Sequence, residues 1–137
     1  MKTLEKKILI DCLMALSLII AMIPSGILPF FTHIAAGASF YILAWMHFLL
    51  NRKTLKALKK SGKYKFQVFI DYILIIVWIL VLLSDIPAMI YKVGGVQRFA
   101  IAPFIHASLG RVAVFVTLVH ILGHWKQINS YRKRIKS

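Results

Sequence analysis

The segment HIAAGASFYILAWMH, residues His33 to His47, carries two histidines fourteen residues apart within an otherwise apolar stretch. An ionisable side chain inside a membrane span is costly and is by default a sign of function. Fourteen residues are two heptads, which advance a helix by about 21 Å and return the chain to nearly the same face. This segment therefore predicts one helical face that carries two imidazoles at two depths.

The chain around this segment is apolar enough for a bilayer, since 60% of its 137 residues are hydrophobic. Four apolar runs are about long enough to cross a hydrocarbon core of about 30 Å as helices. They are Ile8 to Phe31, Thr32 to Leu50, Phe66 to Met89 and Pro103 to Gly123. The first run has Pro24 and Pro29 after its apolar centre and no small-residue cleavage site, so we expect a retained span. We predict an all-α membrane protein, an up-down bundle of four transmembrane helices.

The net charge of +14 comes largely from basic residues beside the apolar runs. Seven of them lie between the second and third runs: Arg52, Lys53, Lys56, Lys59, Lys60, Lys63 and Lys65. The positive-inside rule places this segment in the cytoplasm and, with four spans, both termini as well. We expect a multi-pass protein of a prokaryotic plasma membrane that contacts anionic lipid. Nucleic acid is not an expected partner, because these cations flank spans, where topology requires them.

The fourth run repeats the pattern of the second. PFFTHIAAGASFYILAWMHFLLNRK (29–53) and PFIHASLGRVAVFVTLVHILGHWK (103–126) share a Pro-Phe entry, two histidines fourteen residues apart, a glycine four residues after the first histidine, and a closing lysine. The matched pairs are His33 with His106, Gly37 with Gly110, His47 with His120, and Lys53 with Lys126. The first and third runs match more weakly, at Asp11 and Asp71. We predict one integral membrane domain, 1–137, built from two helical hairpins, about 1–60 and 61–137.

The four repeated histidines pair by depth, His33 with His106 at the outer side and His47 with His120 at the inner side. Two stacked imidazole pairs on facing helices are the arrangement that holds two bis-histidine haems. The chain has no Cys-x-x-Cys-His motif, so the expected haems are noncovalent and b-type. Zinc is a weaker alternative, because it prefers ligands gathered at one point and these pairs lie about 21 Å apart.

The two glycines add to this interpretation. Gly37 and Gly110 each lie four residues from a predicted ligand, on the same helical face. Because glycine has no side chain, each leaves room for a porphyrin edge to approach the backbone.

The repeated His-x3-Gly-x9-His pattern resembles that of the small four-helix membrane cytochromes b and, more distantly, the haem-bearing half of cytochrome b in cytochrome bc complexes. The resemblance implies two b haems stacked across the bilayer. It implies axial ligation by His33, His47, His106 and His120, with Gly37 and Gly110 as haem-clearance positions. It also implies electron transfer between a quinone pool or membrane partner and a redox protein.

The redox partner stays open, either another subunit of a respiratory complex or a soluble electron carrier, and so does activity of this chain as a quinol oxidoreductase. A different functional class also stays open. A haem-free membrane transporter or assembly subunit could use the same histidines as proton relays.

Two charged residues near the histidines need partners. Arg111 is the only cation inside the fourth run, where an unpaired guanidinium is expensive. A haem propionate and Asp85 are equal candidates for its counter-charge. For Asp11 we favour an ion pair with an interfacial lysine such as Lys7, one helical turn away. The alternative is that Asp11 orients a ligand imidazole or passes a proton to a quinone.

The remaining polar residues allow more than one role. Asp71 can form a structural ion pair, orient a ligand imidazole or pass a proton to a quinone. His124 corresponds to Asn51 in the second run, and we favour an interfacial polar residue there. Proton uptake and ligand exchange are the alternatives for His124.

Overall fold

The computed structural model describes residues 3–23, 27, 29–62 and 64–125, and it contains no strand over these residues. Its four α-helices are α1 (Thr3–Met22), α2 (Phe30–Ser61), α3 (Lys65–Gly94) and α4 (Ala102–Gly123). A short 3-10 helix, Gln97–Phe99, precedes α4. The predicted all-α class is confirmed.

Three of the described helical segments are long and apolar enough to cross a membrane: Phe30–Ser61, Lys65–Gly94 and Gln97–Gly123. Only 6 to 11% of their most apolar windows is buried inside the protein, as expected for surfaces that face lipid. In α1, by contrast, the residues from Glu5 to Asp11 include four charged side chains. The uncharged part of α1, Cys12 to Met22, measures about 16 Å as a helix. The fourth span and the orientation of the termini stay predictions.

The helix α2 is longer than the predicted span, which ended at Leu50. It continues through the basic segment to Ser61, and its 32 residues correspond to about 48 Å of helix. Lysine, arginine, leucine and alanine are all strong helix formers, so this segment is helical although it is not apolar. Ser61 Oγ donates to the Leu58 carbonyl over 2.8 Å. Gly62 follows with a φ of +64°, a conformation typical of helix C-termini.

The helix α3 also exceeds its predicted span, which ran from Phe66 to Met89. The chain stays helical to Gly94, past Pro87 inside the helix. Gly95 then ends α3 with a φ of 64°, and its N–H donates to the Tyr91 carbonyl over 3.0 Å. Only residues 95–101 connect α3 to α4.

Proline separates α1 from α2. The predicted first run reached Phe31, but α1 ends at Met22 and α2 begins at Phe30, directly after Pro29. The Pro29 carbonyl accepts the N–H of Thr32 over 2.9 Å and that of His33 over 3.3 Å. Over the described residues the predicted run therefore does not coincide with one continuous helix, and Pro29 precedes the first residue of α2.

The chain divides into two compact units, Met1–Ala57 and Leu58–Ser137. The buried apolar side chains of the first unit are Ile10, Ala36 and Phe40, and those of the second are Val81, Ala102 and Ala113. In the second unit α3 packs along α4, where the fully buried Ala113 permits a close approach. The predicted division into hairpin repeats at about residue 60 stays a prediction.

The left-handed residue at the end of α3 gives a first test. We expect Gly95→Ala to lower the free energy of unfolding by about 1 kcal/mol, because an L side chain is strained at a φ of 64°. Gly94→Ala is the matched control, since its new Cβ would meet only Val96 Cγ2 at 3.6 Å. Unfolding in detergent micelles, followed by circular dichroism, measures both variants. Equal losses would show that the conformation of Gly95 is not what glycine provides.

Candidate functional site

In the first unit an aspartate and a histidine bind each other across two helices. His47 Nδ1, on α2, lies 2.6 Å from Asp11 Oδ1, on α1. The side chains are 29% and 49% exposed. Because an ionised carboxylate only accepts, Nδ1 is the donor and Nε2 is left as the other ring position. The arrangement fixes the orientation of the His47 ring.

This contact corrects the expectation that Asp11 pairs with Lys7. Lys7 Nζ instead donates to Asn51 Oδ1 over 2.8 Å. Asn51 Nδ2 in turn donates to the His47 carbonyl over 3.0 Å. Lys7, one turn before Asp11, therefore lies within a small polar network that also includes the backbone of the histidine.

The second unit repeats the aspartate–histidine contact and adds a second imidazole. Asp71 Oδ1, on α3, lies 2.8 Å from His120 Nδ1 and 3.1 Å from His124 Nε2. The two imidazole rings lie with their centroids 4.7 Å apart. Asp71 is 12% exposed, His120 23% and His124 15%. Asp71 and His120 thus make the contact that Asp11 and His47, their repeat equivalents, make in the first unit.

His124 is the residue whose surroundings were least expected. We favoured an interfacial polar residue, and its imidazole contacts the carboxylate of Asp71. The signal in the sequence is its four-residue spacing from His120, which places both rings on one face of α4. Asp71, whose role was open, is the group that joins them.

The outer histidine of the second unit also faces a carboxylate. His106 Nδ1 lies 3.0 Å from Asp85 Oδ1 and 3.2 Å from the oxygen of the buried Ser84. Ser84 donates its own hydroxyl to the Val81 carbonyl over 2.7 Å, so its oxygen is free to accept from the ring. The imidazole is thus held from the last turns of the neighbouring helix.

This contact bears on Arg111, for which Asp85 was a candidate partner. Asp85 pairs with His106 instead. Arg111 is exposed on α4, and it has no ion pair with another residue in the described part of the chain. A haem propionate stays a prediction for its counter-charge.

The other predicted site residues are on the expected helices. His33 is half-buried on α2. A Cβ added at Gly37 or Gly110 would meet no heavy atom of the described residues within 4 Å, and their role in haem clearance stays a prediction. Each predicted haem pair combines one histidine from each unit, so the pairing of His33 with His106 and of His47 with His120 stays a prediction.

Two kinds of chemistry are available to these groups. An imidazole whose Nδ1 is bound to a carboxylate can offer Nε2 to a metal or haem iron, and the carboxylate fixes its tautomer. The donor atoms of Asp71, His120 and His124 also lie within 4.8 Å of one another, close enough to share one metal ion.

Comparison with protein-family models, with curated proteins and with solved structures found no match to this chain. The resemblance to membrane cytochromes b therefore stays a prediction.

The different burial of the two repeated aspartates gives a second test. We expect Asp71→Asn to lower the free energy of unfolding by about 2 kcal/mol, because it removes a charge that accepts from two partly buried imidazoles. Asp11→Asn, at a half-exposed carboxylate with one imidazole partner, should cost less than about 1 kcal/mol. Titration of each variant with a denaturing detergent measures the difference. If Asp11→Asn lost as much stability as Asp71→Asn, the burial and the second imidazole partner of Asp71 would not explain its contribution.

Proposed function

We propose that this chain is a b-type membrane cytochrome that holds two haems, an outer one at His33 and His106 and an inner one at His47 and His120. In this proposal it carries electrons between a quinone pool or a membrane partner and a redox protein. The membrane is the plasma membrane of a prokaryote, with both termini in the cytoplasm. Bound haem would supply the one-electron redox chemistry, and the chain would hold, orient and shield it.

The observation that carries the proposal is the carboxylate behind three of the four predicted ligands. The Nδ1 atoms of His47, His120 and His106 lie 2.6, 2.8 and 3.0 Å from aspartate oxygens. Histidines that bind metals almost always donate their other ring N–H to a carboxylate, a carbonyl or water, which fixes the tautomer and raises the basicity of the ligating nitrogen. The same orientation is present here in both units.

The surroundings of the histidines also fit haem. The open space beside Gly37 and Gly110 allows a flat macrocycle to approach the backbone of either helix. Two haems bring four propionates into a chain that has 18 lysines and arginines and only 4 acidic residues. Arg111, exposed on α4 one residue after Gly110, is suited to bind one of these carboxylates in a bidentate manner.

One observation supports a second candidate. Asp71 joins two imidazoles in a continuous imidazole–carboxylate–imidazole series, which is an arrangement that can relay protons. A haem-free transporter or assembly subunit would use the histidines in this way. The absorption spectrum separates the two candidates, because only the cytochrome has a reduced-minus-oxidised difference spectrum with the sharp alpha band of a low-spin b haem.

Haem content is the direct test of the cytochrome. The chain is purified in detergent, supplied with haem and assayed as the pyridine haemochrome, and we expect two haems per polypeptide. His47→Leu and His120→Leu should each reduce this to one, because each removes an axial ligand of the inner haem. Phe48→Leu and Ile121→Leu are the matched controls, since both residues are exposed neighbours on the same helices. A wild-type chain that takes up no haem would overturn the proposal.

The reduction potential distinguishes aspartates that act on haem ligands from aspartates that only stabilise the fold. Asp71→Asn should keep two haems but raise the reduction potential of one of them, because a less basic imidazole stabilises the oxidised iron less. Asp11→Asn should raise the potential by a smaller amount, since that carboxylate is more exposed to solvent. Spectroscopic redox titration of the two variants and the wild type measures both shifts. Unchanged potentials in both variants would show that the carboxylates do not act on ligands.

A further inference from the structure

We infer that the second unit has a site for a divalent transition-metal ion, formed by Asp71 Oδ1, His120 Nδ1 and His124 Nε2. Imidazole and carboxylate donors together suit zinc and its neighbours among the divalent metals. Three protein ligands leave a fourth position for water, as in open zinc sites. This site does not depend on the proposed haems, because all its donors belong to the second unit.

The spacing of the donors fits an ion. Tetrahedral zinc with bonds of about 2.0 to 2.2 Å places neighbouring donor atoms about 3.3 Å apart. Here the carboxylate oxygen lies 2.8 Å from one ring nitrogen and 3.1 Å from the other. All three donor atoms lie within 4.8 Å of one another. Binding of an ion would replace the two hydrogen bonds and draw the three donors around the ion. The side chains of Asp71, His120 and His124 are 12, 23 and 15% exposed, so they are partly desolvated but still reachable.

The end of α4 also favours a cation. His120 lies in the last turn of the helix, and His124 directly follows its last residue, Gly123. Carbonyl groups concentrate partial negative charge at this end of a helix. Gln67 Nε2, from α3, donates to the Gly123 carbonyl over 3.0 Å and holds this end of α4 against the helix that carries Asp71.

The first unit is an internal comparison, because it has Asn51 in the position of the third donor. Asn51 stands where the second hairpin has His124, and it binds Lys7 Nζ through its side-chain oxygen. The ammonium group of Lys7 would also repel a cation there. The repeated aspartate–histidine contact thus occurs in both units, whereas among the described residues the complete donor set occurs only in the second.

Occupation by the ion has a consequence for His120. A neutral imidazole that binds an ion through Nδ1 carries its proton on Nε2. That nitrogen is then unable to ligate a haem iron. The ion and the proposed inner haem are therefore alternatives at His120.

The test uses the full chain, purified without a polyhistidine tag and freed of haem and metal, and titrated calorimetrically with zinc. We expect one ion per chain, and with cobalt the visible absorption bands of a four-coordinate site. His124→Asn, which introduces the residue that the first hairpin carries, and Asp71→Asn should each weaken binding about tenfold or more. Glu5→Gln, which alters an exposed acid on α1, should bind as the wild type does. No zinc binding by the wild type, or equal binding by His124→Asn, overturns the site.

A second measurement tests the competition at His120. Zinc added before haem should reduce the haem content of the wild type from two to one, and it should leave two haems in His124→Asn. Two haems in the zinc-loaded wild type would overturn the competition. A chain that takes up no haem but binds zinc would overturn the proposed function and support the metal site, so the two failures are distinguishable.

Discussion

The hydrogen bond between an aspartate of one helix and a histidine of the next is the interaction on which the rest of this structure depends. Burying an aspartate or a histidine among apolar helices costs free energy unless the side chain has a hydrogen-bond partner, and here each provides the partner of the other. Asp11 with His47 joins α1 to α2, and Asp71 with His120 joins α3 to α4. In the second unit this pair fixes which faces of α3 and α4 meet, since a rotation of either helix would separate the carboxylate from the ring. Each pair also determines which ring nitrogen is left for chemistry.

The two units share the aspartate–histidine contact but differ in the residue four positions after the histidine. Both keep the aspartate–histidine contact between their helices. In the first unit the residue one turn after the histidine is Asn51, which connects Lys7 to the backbone. In the second it is His124, which adds a third metal-binding side chain. One position therefore separates a pair that can only orient a ligand from a group that can also bind an ion.

Hydropathy predicted some elements well and others poorly, for physical reasons. The predicted fourth span runs from Pro103 to Gly123, and α4 begins one residue earlier and ends at the same glycine. Proline is common in the first turn of a helix and glycine is common near its end, so both ends could be read from the sequence. The lengths of α2 and α3 were underestimated, since hydropathy detects what a membrane can hold, while helices continue wherever propensity allows.

For the candidate site, the sequence predicted which residues matter better than it predicted which residues contact each other. The repeat identified the histidines and matched Asp11 with Asp71, but not their contacts. For Asp11 the nearest cation along the helix, Lys7, was the expected partner, and the actual partner lies 36 residues away on the next helix. Contacts between helices depend on the rotation of each helix about its axis, which a pattern along one chain does not specify. The contact between His124 and Asp71 was not predicted for the same reason, since it also joins two helices.

The helical continuation of α2 past Leu50 has an electrostatic consequence. Five exposed cations project from it: Arg52, Lys53, Lys56, Lys59 and Lys60. From Asn51 to Ser61 it measures about 16 Å, about twice the Debye length of about 8 Å at physiological ionic strength. Any anionic molecule that diffuses to this part of the chain is therefore attracted by these charges, and added salt weakens the attraction.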